Sequence, residues 1–397
     1  MTALERDALA WILGIPDSSD FVEEYLGTNW YHGKSENTER FADLLSIANL
    51  DELLGRFGVR HPSIKLVRSG SAVPTAEYLW RDRMVDPARV AQLFSEGATV
   101  VFGGLHDRHE PARRLCNAVS LQVSARTQTN IYLTPPGSQG FRPHWDTHDV
   151  YVLQIEGSKR WRMYGGGPEL PLKDHKFDPA RHQAGDVESE FTLETGEALY
   201  VPRGWMHAAS TTDSASVHIT LGVMSYTWAD LLADSLSELV DRNSSWRENL
   251  PLGFALDGGL DKGLEEELSR RILTLSQEMD LHSVVPARAE TFVEHLRPRA
   301  IDYLKQVVHA DEVSEESRVC WRPGVPGSIA LRDGRVALIS RGREVDFPSE
   351  AKTTLECLLR GEIVRAGEII DGLDWLSRRV ILKALIREGW LTVTEES

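Results

Sequence analysis

The spacing of apolar residues divides the chain into four stretches. Up to about residue 95 helical periodicity alternates with loops, and DRMVDPARVAQLFSEGATVVF predicts a short helix and then a strand, because the apolar spacing becomes continuous at Ala98–Phe102. Between about 120 and 225 short β-type runs alternate with Gly and Pro. Strands this short and this closely spaced favour a sandwich or barrel over βαβ units.

The third stretch, from Thr227, returns to helical spacing. Further helices are expected at 262–280 and 286–308. A helical module at 227–310 either forms a dimer surface or packs on the β core, and the pattern favours neither. Its first helix is indicated by apolar residues at steps of three and four, which are Trp228, Leu231, Leu232, Leu236, Leu239 and Val240.

The fourth stretch, 311–397, has the pattern of a small separate domain. Two strand-like runs, SIALRDG and RVALISRG, precede predicted helices at 349–360, 364–371 and 375–388, and a WLTV strand follows. Helices combined with a two-stranded wing favour a winged-helix arrangement. This stretch has 16 acidic and 13 basic side chains, so it lacks the basic stripe that duplex DNA requires. We therefore expect a protein-contact or structural domain without direct DNA binding.

Composition narrows the class of partner. The 397 residues are 41% hydrophobic and 26% charged, as in a soluble globular protein of two or three domains. The 60 acidic residues outnumber the 44 basic ones, which leaves a formal net charge of −16. Such a charge disfavours nucleic acid or an anionic membrane as the main partner and suits a basic protein or peptide.

The cysteines and the first residues bear on the cellular compartment. Cys116, Cys320 and Cys357 are far apart and form no C-x-x-C pair, which argues against a disulfide framework or a structural zinc cluster. Charged residues occupy positions 5–7, where a signal peptide needs an apolar run. No apolar run approaches the roughly 20 residues that span a bilayer. These features predict a cytoplasmic protein with no membrane association.

The most informative motif is PHWDTHDVYVLQIEG. His144 and Asp146 are two residues apart in a β-type run, so both side chains are expected on one face. A third ligand is expected from a neighbouring strand, where YVPRGWMHAAS offers His207. Two histidines and one carboxylate form the facial triad of non-haem Fe(II) oxygenases. The isolated H-x-D pair is weak evidence, and the distal histidine in a second β-type run strengthens it.

Two segments carry a family resemblance. NIYLTPPGSQGFRPHWDTHDVYVLQIEGSKRWRMY and LETGEALYVPRGWMHAA closely resemble the JmjC-type cupins of the ribosomal oxygenase (cupin-4) group. The resemblance implies a mixed α/β chain: a double-stranded β-helix (jelly-roll) catalytic domain at 1–226, a helical dimerisation module at 227–310 and a winged-helix-like domain at 311–397. It also implies an Fe(II)- and 2-oxoglutarate-dependent protein hydroxylase that consumes O2 and acts on a histidine or arginine, with a ribosomal protein as the expected substrate.

The resemblance assigns roles to individual residues. It places His144, Asp146 and His207 on the iron, and Lys159 on the distal carboxylate of 2-oxoglutarate. A buried dianion does need a fixed cation at its far end. Strand alternation alone leaves Lys159 and its neighbour Arg160 equivalent, because either one turns inward when the other turns outward. The family register favours Lys159.

Other pocket candidates rest mainly on the resemblance. Asn130 and Tyr132 share a strand face, and so do His218 and Thr220, at positions that line the cosubstrate pocket in the family. Without the resemblance, Asn130 and Tyr132 would be interpreted as a half-buried cross-strand pair and His218 as a core histidine. His148 departs from the family pattern. It would face the same way as His144 and Asp146 in a regular strand, and its role stays open.

Three alternative functions are compatible with these residues. The same centre serves JmjC hydroxylases of a biosynthetic peptide, a free amino acid or tRNA, although the net charge of −16 counts against tRNA. It also serves lysine demethylases, which differ in the target carbon. The third alternative is a non-catalytic cupin that keeps a metal for binding or scaffolding. The amphipathic helices and the resemblance predict a homodimer.

Overall fold

The computed structural model describes residues 2–56, 59–252, 254, 262–296, 302–332 and 334–394. The chain divides into two compact units, one formed by Met1–Ser225 with Leu296–Ser397 and the other by Tyr226–His295. The predicted domain boundaries at 226 and 310 stay a prediction.

Residues 2–225 combine short helices with the strands that carry the candidate site. The helices are α1 (Ala3–Arg6), α2 (Ala8–Leu13), α3 (Ser19–Glu24), α4 (Ile47–Arg56), α5 (Pro87–Ser95) and α6 (Glu110–Val123). The strands are β1 (Tyr31–Gly33), β2 (Ile64–Arg68), β3 (Ser71–Ala72), β4 (Thr99–Gly103), β5 (Arg126–Thr134), β6 (Asp149–Glu156), β7 (Lys159–Tyr164), β8 (Val187–Leu193), β9 (Ala198–Val201), β10 (Met206–Thr211) and β11 (Ser216–Met224).

The predicted helix and strand before residue 103 are present as α5 and β4. The side chain of Asp86 accepts hydrogen bonds from the first free backbone N–H groups of α5, and Pro87 occupies the first turn, where no N–H is needed. The helix ends at Ser95, and Gly97 takes a positive φ of 96° before the apolar strand begins. Local sequence therefore sets both the start and the end of α5.

These strands form two antiparallel sheets, as the spacing of the β-type runs predicts. The larger sheet has the order β1-β9-β6-β11-β5-β4-β2-β3 and the smaller one the order β10-β7-β8. Strand β11 lies between β5 and β6, with Thr220 opposite Asn130 on one side and Val152 on the other. In the smaller sheet β7 is the central strand, with His207 opposite Met163. In this topology the neighbouring strands β6 and β7 and the later strands β10 and β11 surround a common internal space.

Strand β6 is buried on both faces, and its alternation separates two cores. Val150 and Val152 pack with Trp161 and Met163 of β7 in the apolar layer between the sheets. Tyr151, Leu153 and Ile155 belong instead to the large core shared with the N-terminal helices. Burial of both faces explains the near-continuous apolar run VYVLQI, which is typical of a strand with no solvent-facing side. The face that carries Val150 and Val152 is the one that meets the candidate site.

The second unit is helical, as predicted from Thr227 onward. A capping box formed by Thr227 and Asp230 begins α7 (Trp228–Arg242), and α8 (Lys262–Glu278) and α9 (Leu281–His295) follow. The single helix predicted at 286–308 is wrong. Helix α9 begins five residues earlier and contains Pro286, and a separate short helix lies at Tyr303–Val308. Pro286 lies beyond the first turn of α9, where it lacks the N–H of a helical hydrogen bond, so it interrupts the bonding without marking the first residue. Residues 297–301 lie outside the described residues.

The C-terminal residues form their own apolar core around Trp321, Leu355, Leu382 and Trp390. The predicted helix at 364–371 is wrong. Val364–Arg365 form a strand, and Ala366–Glu368 form a 3-10 turn whose backbone N–H groups donate to the carbonyls of Ser317 and Glu315. These long-range bonds outweigh the local helical pattern.

The elements of the C-terminal residues are α10 (Tyr303–Val308), β12 (Arg318–Trp321), β13 (Ser328–Arg332), β14 (Arg335–Ser340), β15 (Arg343–Pro348), α11 (Lys352–Leu359), β16 (Val364–Arg365), α12 (Trp375–Arg387) and β17 (Leu391–Thr394).

Two sequence expectations concern the whole chain. Among the described residues no helix is long and apolar enough to cross a bilayer. Among the described residues no disulfide bond joins Cys116, Cys320 or Cys357, in agreement with the sequence expectation.

Candidate metal centre

Three potential metal ligands lie together beside the smaller sheet. His207 is the second residue of β10, and His144 pairs with it in an isolated antiparallel β-bridge. Asp146 follows two residues later in a segment that is neither helix nor strand. One ligand atom from each side chain lies within 4.8 Å of the others. The structure therefore brings together the three residues that the sequence singled out, although His144 and Asp146 do not share a regular strand.

The backbone holds both imidazoles in the tautomer that a metal requires. His144 Nδ1 lies 2.8 Å from the carbonyl oxygen of Arg142, and His207 Nδ1 lies 2.9 Å from that of Trp205. A carbonyl oxygen only accepts, so Nδ1 carries the proton in each ring and Nε2 keeps its lone pair. Such bonds to the second ring nitrogen are the usual support of metal-binding histidines.

Burial keeps His207 neutral. It lowers the pKa of His207 to about 4, with a further contribution from neighbouring His144, while Asp146 acts in the opposite direction. The Nε2 of His207 lies 3.7 Å from the Asp146 carboxylate. Two imidazoles beside one carboxyl group are a donor set suited to a divalent first-row metal.

A small cavity adjoins the three ligands. Its volume is about 70 Å³, so it is a small and specific space rather than an open cleft. The wall is mainly apolar and aromatic, with a few polar groups directed into it. The described lining residues are Thr99, Tyr132, Gly140, Phe141, His144, Asp146, Val150, Val152, Lys159, Trp161, His207, Ala209, His218 and Thr220.

Lys159 and Arg160 have different environments in the structure. Strand β7 alternates buried and exposed positions, and Lys159 is only 4% exposed at the cavity wall. Its Nζ lies 6.0 Å from the centre of the Tyr132 ring. Arg160 points to solvent and lies 3.8 Å from Glu190. Burial lowers the pKa of Lys159 to about 7, because no carboxylate among the described residues offsets the cost of desolvating the ammonium.

Buried polar groups without partners indicate what the cavity fits. Trp161 Nε1 and His218 Nδ1 are buried and make no hydrogen bond within the described part of the chain. Together with Lys159 they present unsatisfied polar atoms at one cavity wall, and such atoms are costly unless a ligand or water pairs with them. An anion with a carboxylate at this end would satisfy them. These residues, with His144, Asp146 and His207, therefore fit a metal ion together with a dicarboxylate.

The remaining predicted pocket residues divide into two groups. Tyr132 and Thr220 line the cavity, and Tyr132 stacks on His218 with ring centres 4.8 Å apart. Burial raises the pKa of Tyr132, so its hydroxyl keeps the proton and can donate. Asn130 shares the strand face of Tyr132 but is not among the described lining residues. It lies instead opposite Gly103 and Thr220 in the larger sheet.

His148 does not join the three ligands. The segment 145–148 is irregular and β6 begins only at Asp149, so the alternation of a regular strand does not extend to His148. The imidazole packs against Gly222, where a side-chain carbon would lie 2.7 Å from the ring. His148 is therefore a packing neighbour of the centre, and Gly222 provides the space for it.

Sequence reasoning missed two aromatic neighbours of the centre. Phe141 is 39% exposed, lines the cavity and lies 5.8 Å from His144, measured between ring centres. Phe177 contacts the rings of Trp145 at 5.8 Å and His144 at 6.4 Å. It belongs to a loop at 165–186 between β7 and β8, described throughout, that has no helix or strand. The sequence feature that could have pointed to Phe177 is the length of this loop, because long irregular loops in compact domains are often functional.

A family model for the JmjC domain matches residues 105–231. This part of the chain is a JmjC domain. The match includes His144, Asp146, Lys159 and His207, and it confirms the resemblance seen in the sequence.

Curated relatives are described as bifunctional lysine-specific demethylase and histidyl-hydroxylase NO66. The protein from Drosophila persimilis is 30% identical over 286 residues, which cover 69% of this chain and 41% of the relative. The protein from Dictyostelium discoideum is 28% identical over 259 residues, which cover 62% of this chain and 49% of the relative. A mouse relative, ribosomal oxygenase 2, is 30% identical over 43% of this chain and 39% of its own length. The chain thus spans about half or less of these relatives.

Solved structures support the fold along most of the chain. Escherichia coli YcfD matches with a TM-score of 0.55 and 18% identity, covering 94% of this chain and 97% of YcfD. A second structure, of the YcfD ribosomal oxygenase with cobalt and 2-oxoglutarate, matches with a TM-score of 0.52 and 18% identity over 95% and 98% of the two chains. At this identity the likeness establishes the JmjC cupin fold.

The three-ligand assignment predicts the effect of single substitutions on metal affinity. We expect His207→Ala and Asp146→Ala to weaken Co(II) binding by more than the roughly 10- to 100-fold that loss of an outer partner costs, because each removes a ligand. Isothermal titration calorimetry of metal-free protein with Co(II) measures this directly. His148→Ala is the matched control from the same segment and should bind Co(II) as the parent does. Unchanged affinity in both ligand variants would contradict the assignment.

Proposed function

We propose that this JmjC-domain protein is an Fe(II)- and 2-oxoglutarate-dependent oxygenase that hydroxylates a histidine or arginine side chain of a protein substrate, with a ribosomal protein as the expected target. The observation that carries the proposal is the combination of His144, Asp146 and His207 with buried Lys159 across one small cavity. A metal site alone would serve many functions. A metal site beside a buried cation without a counter-ion favours an anionic cosubstrate.

In this proposal His144, Asp146 and His207 hold the ferrous ion. Ferrous ion and 2-oxoglutarate supply oxidative decarboxylation: one O2 and one substrate C–H yield succinate, CO2 and the C–OH product. The residues of this chain supply position and environment. The Nδ1 bonds to the Arg142 and Trp205 carbonyls orient the two imidazoles.

Lys159 binds the far carboxylate of the cosubstrate, and the unpaired N–H groups of its neighbours assist. In the protonated state its ammonium provides charge-assisted hydrogen bonds, which are the strong kind. The tautomer of His218 decides whether its Nδ1 donates, whereas Trp161 Nε1 always donates. Val150, Val152 and Ala209 exclude water from the rest of the wall. Exclusion of water strengthens each of these electrostatic contacts.

Two observations support a basic protein as the substrate. The formal charge of −16 favours encounter with a positively charged partner, and ribosomal proteins belong to that class. Relatives are described as histidyl-hydroxylases and as ribosomal oxygenases. The same relatives are also described as lysine-specific demethylases, which makes demethylation the second candidate. The products distinguish the two, because demethylation releases formaldehyde and hydroxylation adds one oxygen to the substrate.

We also propose that the helical unit forms a homodimer. Its described residues bury few apolar side chains, with Leu239 at 1% and Val284 at 6% exposure. Many others are open to solvent, and a second copy of the chain would cover them by the symmetric pairing usual in homo-oligomers. The exposed set comprises Trp228, Leu232, Leu236, Leu268, Ile272, Leu273, Leu281 and Val285.

The proposal also includes a role for the C-terminal residues and a cellular location. The helices and the β13–β15 sheet after residue 311 suit a winged-helix-like protein-contact domain, and the surplus of acidic side chains there argues against direct DNA binding. A cytoplasmic location agrees with a ribosomal substrate.

The role of Lys159 predicts opposite effects on binding and stability. Lys159→Met should abolish measurable 2-oxoglutarate binding to the Co(II)-loaded protein, because the far carboxylate loses its cation. The same change should raise the melting temperature of the ligand-free protein at pH 7, because it removes a buried ammonium without a counter-ion. In the parent, 2-oxoglutarate affinity should fall as pH rises above about 7, because Lys159 must then take up a proton to bind. Calorimetry and thermal denaturation measure these effects.

Arg160→Met is the matched control, since it removes the adjacent cation from an exposed position. It should bind 2-oxoglutarate like the parent. If Arg160→Met lost binding and Lys159→Met kept it, the assignment of the cosubstrate cation would be wrong.

The proposed dimer makes a separate prediction. Light scattering of the parent chain should give the mass of two copies. Leu268→Glu combined with Ile272→Glu should give the mass of one copy, because two charges would be buried in an apolar interface. A parent chain that scatters as a monomer at micromolar concentration would refute the dimer.

A further inference from the structure

The two segments that carry the metal ligands are joined by a short ladder of hydrogen bonds. His144 and His207 exchange two backbone bonds, of 3.0 Å and 2.8 Å. The Gly204 N–H donates to the carbonyl oxygen of Asp146 at 2.9 Å. A fourth bond is different in kind, because the Arg203 N–H donates to the side-chain Oδ1 of Asp149 at 2.9 Å.

At this position a side chain supplies the acceptor, because the backbone pairing between β6 and β9 stops there. Strands β6 and β9 are paired up to Val150 and Val201, so Asp149 would next face Pro202. Proline has no N–H to donate, and the chain then turns through Gly204, which has a positive φ of 88°. The carboxylate of Asp149 thus connects the end of the regular sheet to the turn that precedes His207.

The turn at Arg203–Trp205 makes contacts with both segments that carry the metal ligands. Besides the bond from Gly204 to the Asp146 carbonyl, the Trp205 carbonyl accepts from His207 Nδ1. Gly204 is also packed so closely that an added Cβ would lie 2.0 Å from the Pro168 carbonyl oxygen. The position of this turn therefore affects both Asp146 and His207.

Asp149 is fixed on the side of β6 away from the metal cavity. It is 8% exposed, and Val150, the next residue, faces the cavity instead. The side chain of Tyr200 lies beside the carboxylate, and its hydroxyl accepts from the Gly27 N–H at 2.8 Å. Burial restricts the positions that this carboxylate can take, so it is a well-placed acceptor for the Arg203 N–H.

We propose that Asp149 is a positioning residue for the metal centre: its carboxylate replaces a backbone carbonyl and sets the distance between Asp146 and His207. The inference rests on the proposed metal site and adds a residue outside it. Asp149 touches neither the metal ligands nor the cavity, so its effect passes through the Arg203–Trp205 turn.

Substitutions separate the acceptor from the charge. Asp149→Ala removes both and should weaken Co(II) affinity about 10-fold, as loss of an outer support does. Asp149→Asn removes the charge but keeps Oδ1 as an acceptor, so its Co(II) affinity should stay close to that of the parent. Calorimetry with Co(II) alone, on protein shown to be folded, measures both variants.

Gln154→Ala is the control for a merely structural effect. Gln154 is fully buried on the same strand, and its amide donates to Ser216 Oγ at 2.8 Å at the far end of β6. This variant should lose thermal stability and keep Co(II) affinity. Equal losses of affinity in the Asn and Ala variants would assign the effect to charge and overturn the proposal. Parental affinity in the Ala variant would overturn it as well.

Amide hydrogen exchange on metal-free protein tests the contact without any metal. The Arg203 and Gly204 amides should exchange slowly although they lie in a turn, and Asp149→Ala should accelerate both. Rapid exchange at Arg203 in the folded parent would overturn the proposal even if Co(II) binds as expected. A parent that protects Arg203 but binds no Co(II) would instead count against the metal site.

Discussion

The backbone pairing of His144 with His207 is the constraint on which the site depends. Two reciprocal hydrogen bonds join residues 63 positions apart and place their imidazoles side by side, with ring centres 4.6 Å apart. Asp146 needs no regular strand of its own, because the Gly204 N–H fixes its carbonyl from the partner segment. The two sheets bring these segments together, and the turn before β10 maintains their spacing. The backbone alone therefore brings the three side chains to within ligand distance of one another.

A second constraint is electrostatic. Burying the ammonium of Lys159 without a counter-ion costs stability, and burial accordingly lowers the pKa of Lys159 to about 7. Chains seldom retain such a residue in an apolar wall without a use for it. An anionic cosubstrate would pair with the ammonium and with the N–H of Trp161. In the proposed function, the same buried charge that costs stability would favour binding of a dianion.

The sequence predicted the ligands and the sheets better than it predicted their local geometry. His144 and Asp146 lie close together as expected, but in an irregular segment where strand alternation does not apply, and His148 consequently diverges from them. Alternation left Lys159 and Arg160 equivalent, since a period of two does not say which parity faces inward. The contact of Phe177 with His144 depends on the path of a long loop, which periodicity does not encode. At 364–371, bonds to Glu315 and Ser317 replaced a predicted helix.

The central claim is that one site holds a metal and a dianion together, with His144, Asp146 and His207 on one and Lys159 on the other. An anaerobic titration of metal-free protein with Fe(II) and 2-oxoglutarate tests it most directly. Chelation of ferrous ion by the keto-acid end of 2-oxoglutarate should produce a visible charge-transfer band that saturates at one equivalent per chain. Folded, Fe(II)-loaded protein that shows no band at saturating 2-oxoglutarate would contradict the oxygenase account and leave a metal-binding cupin.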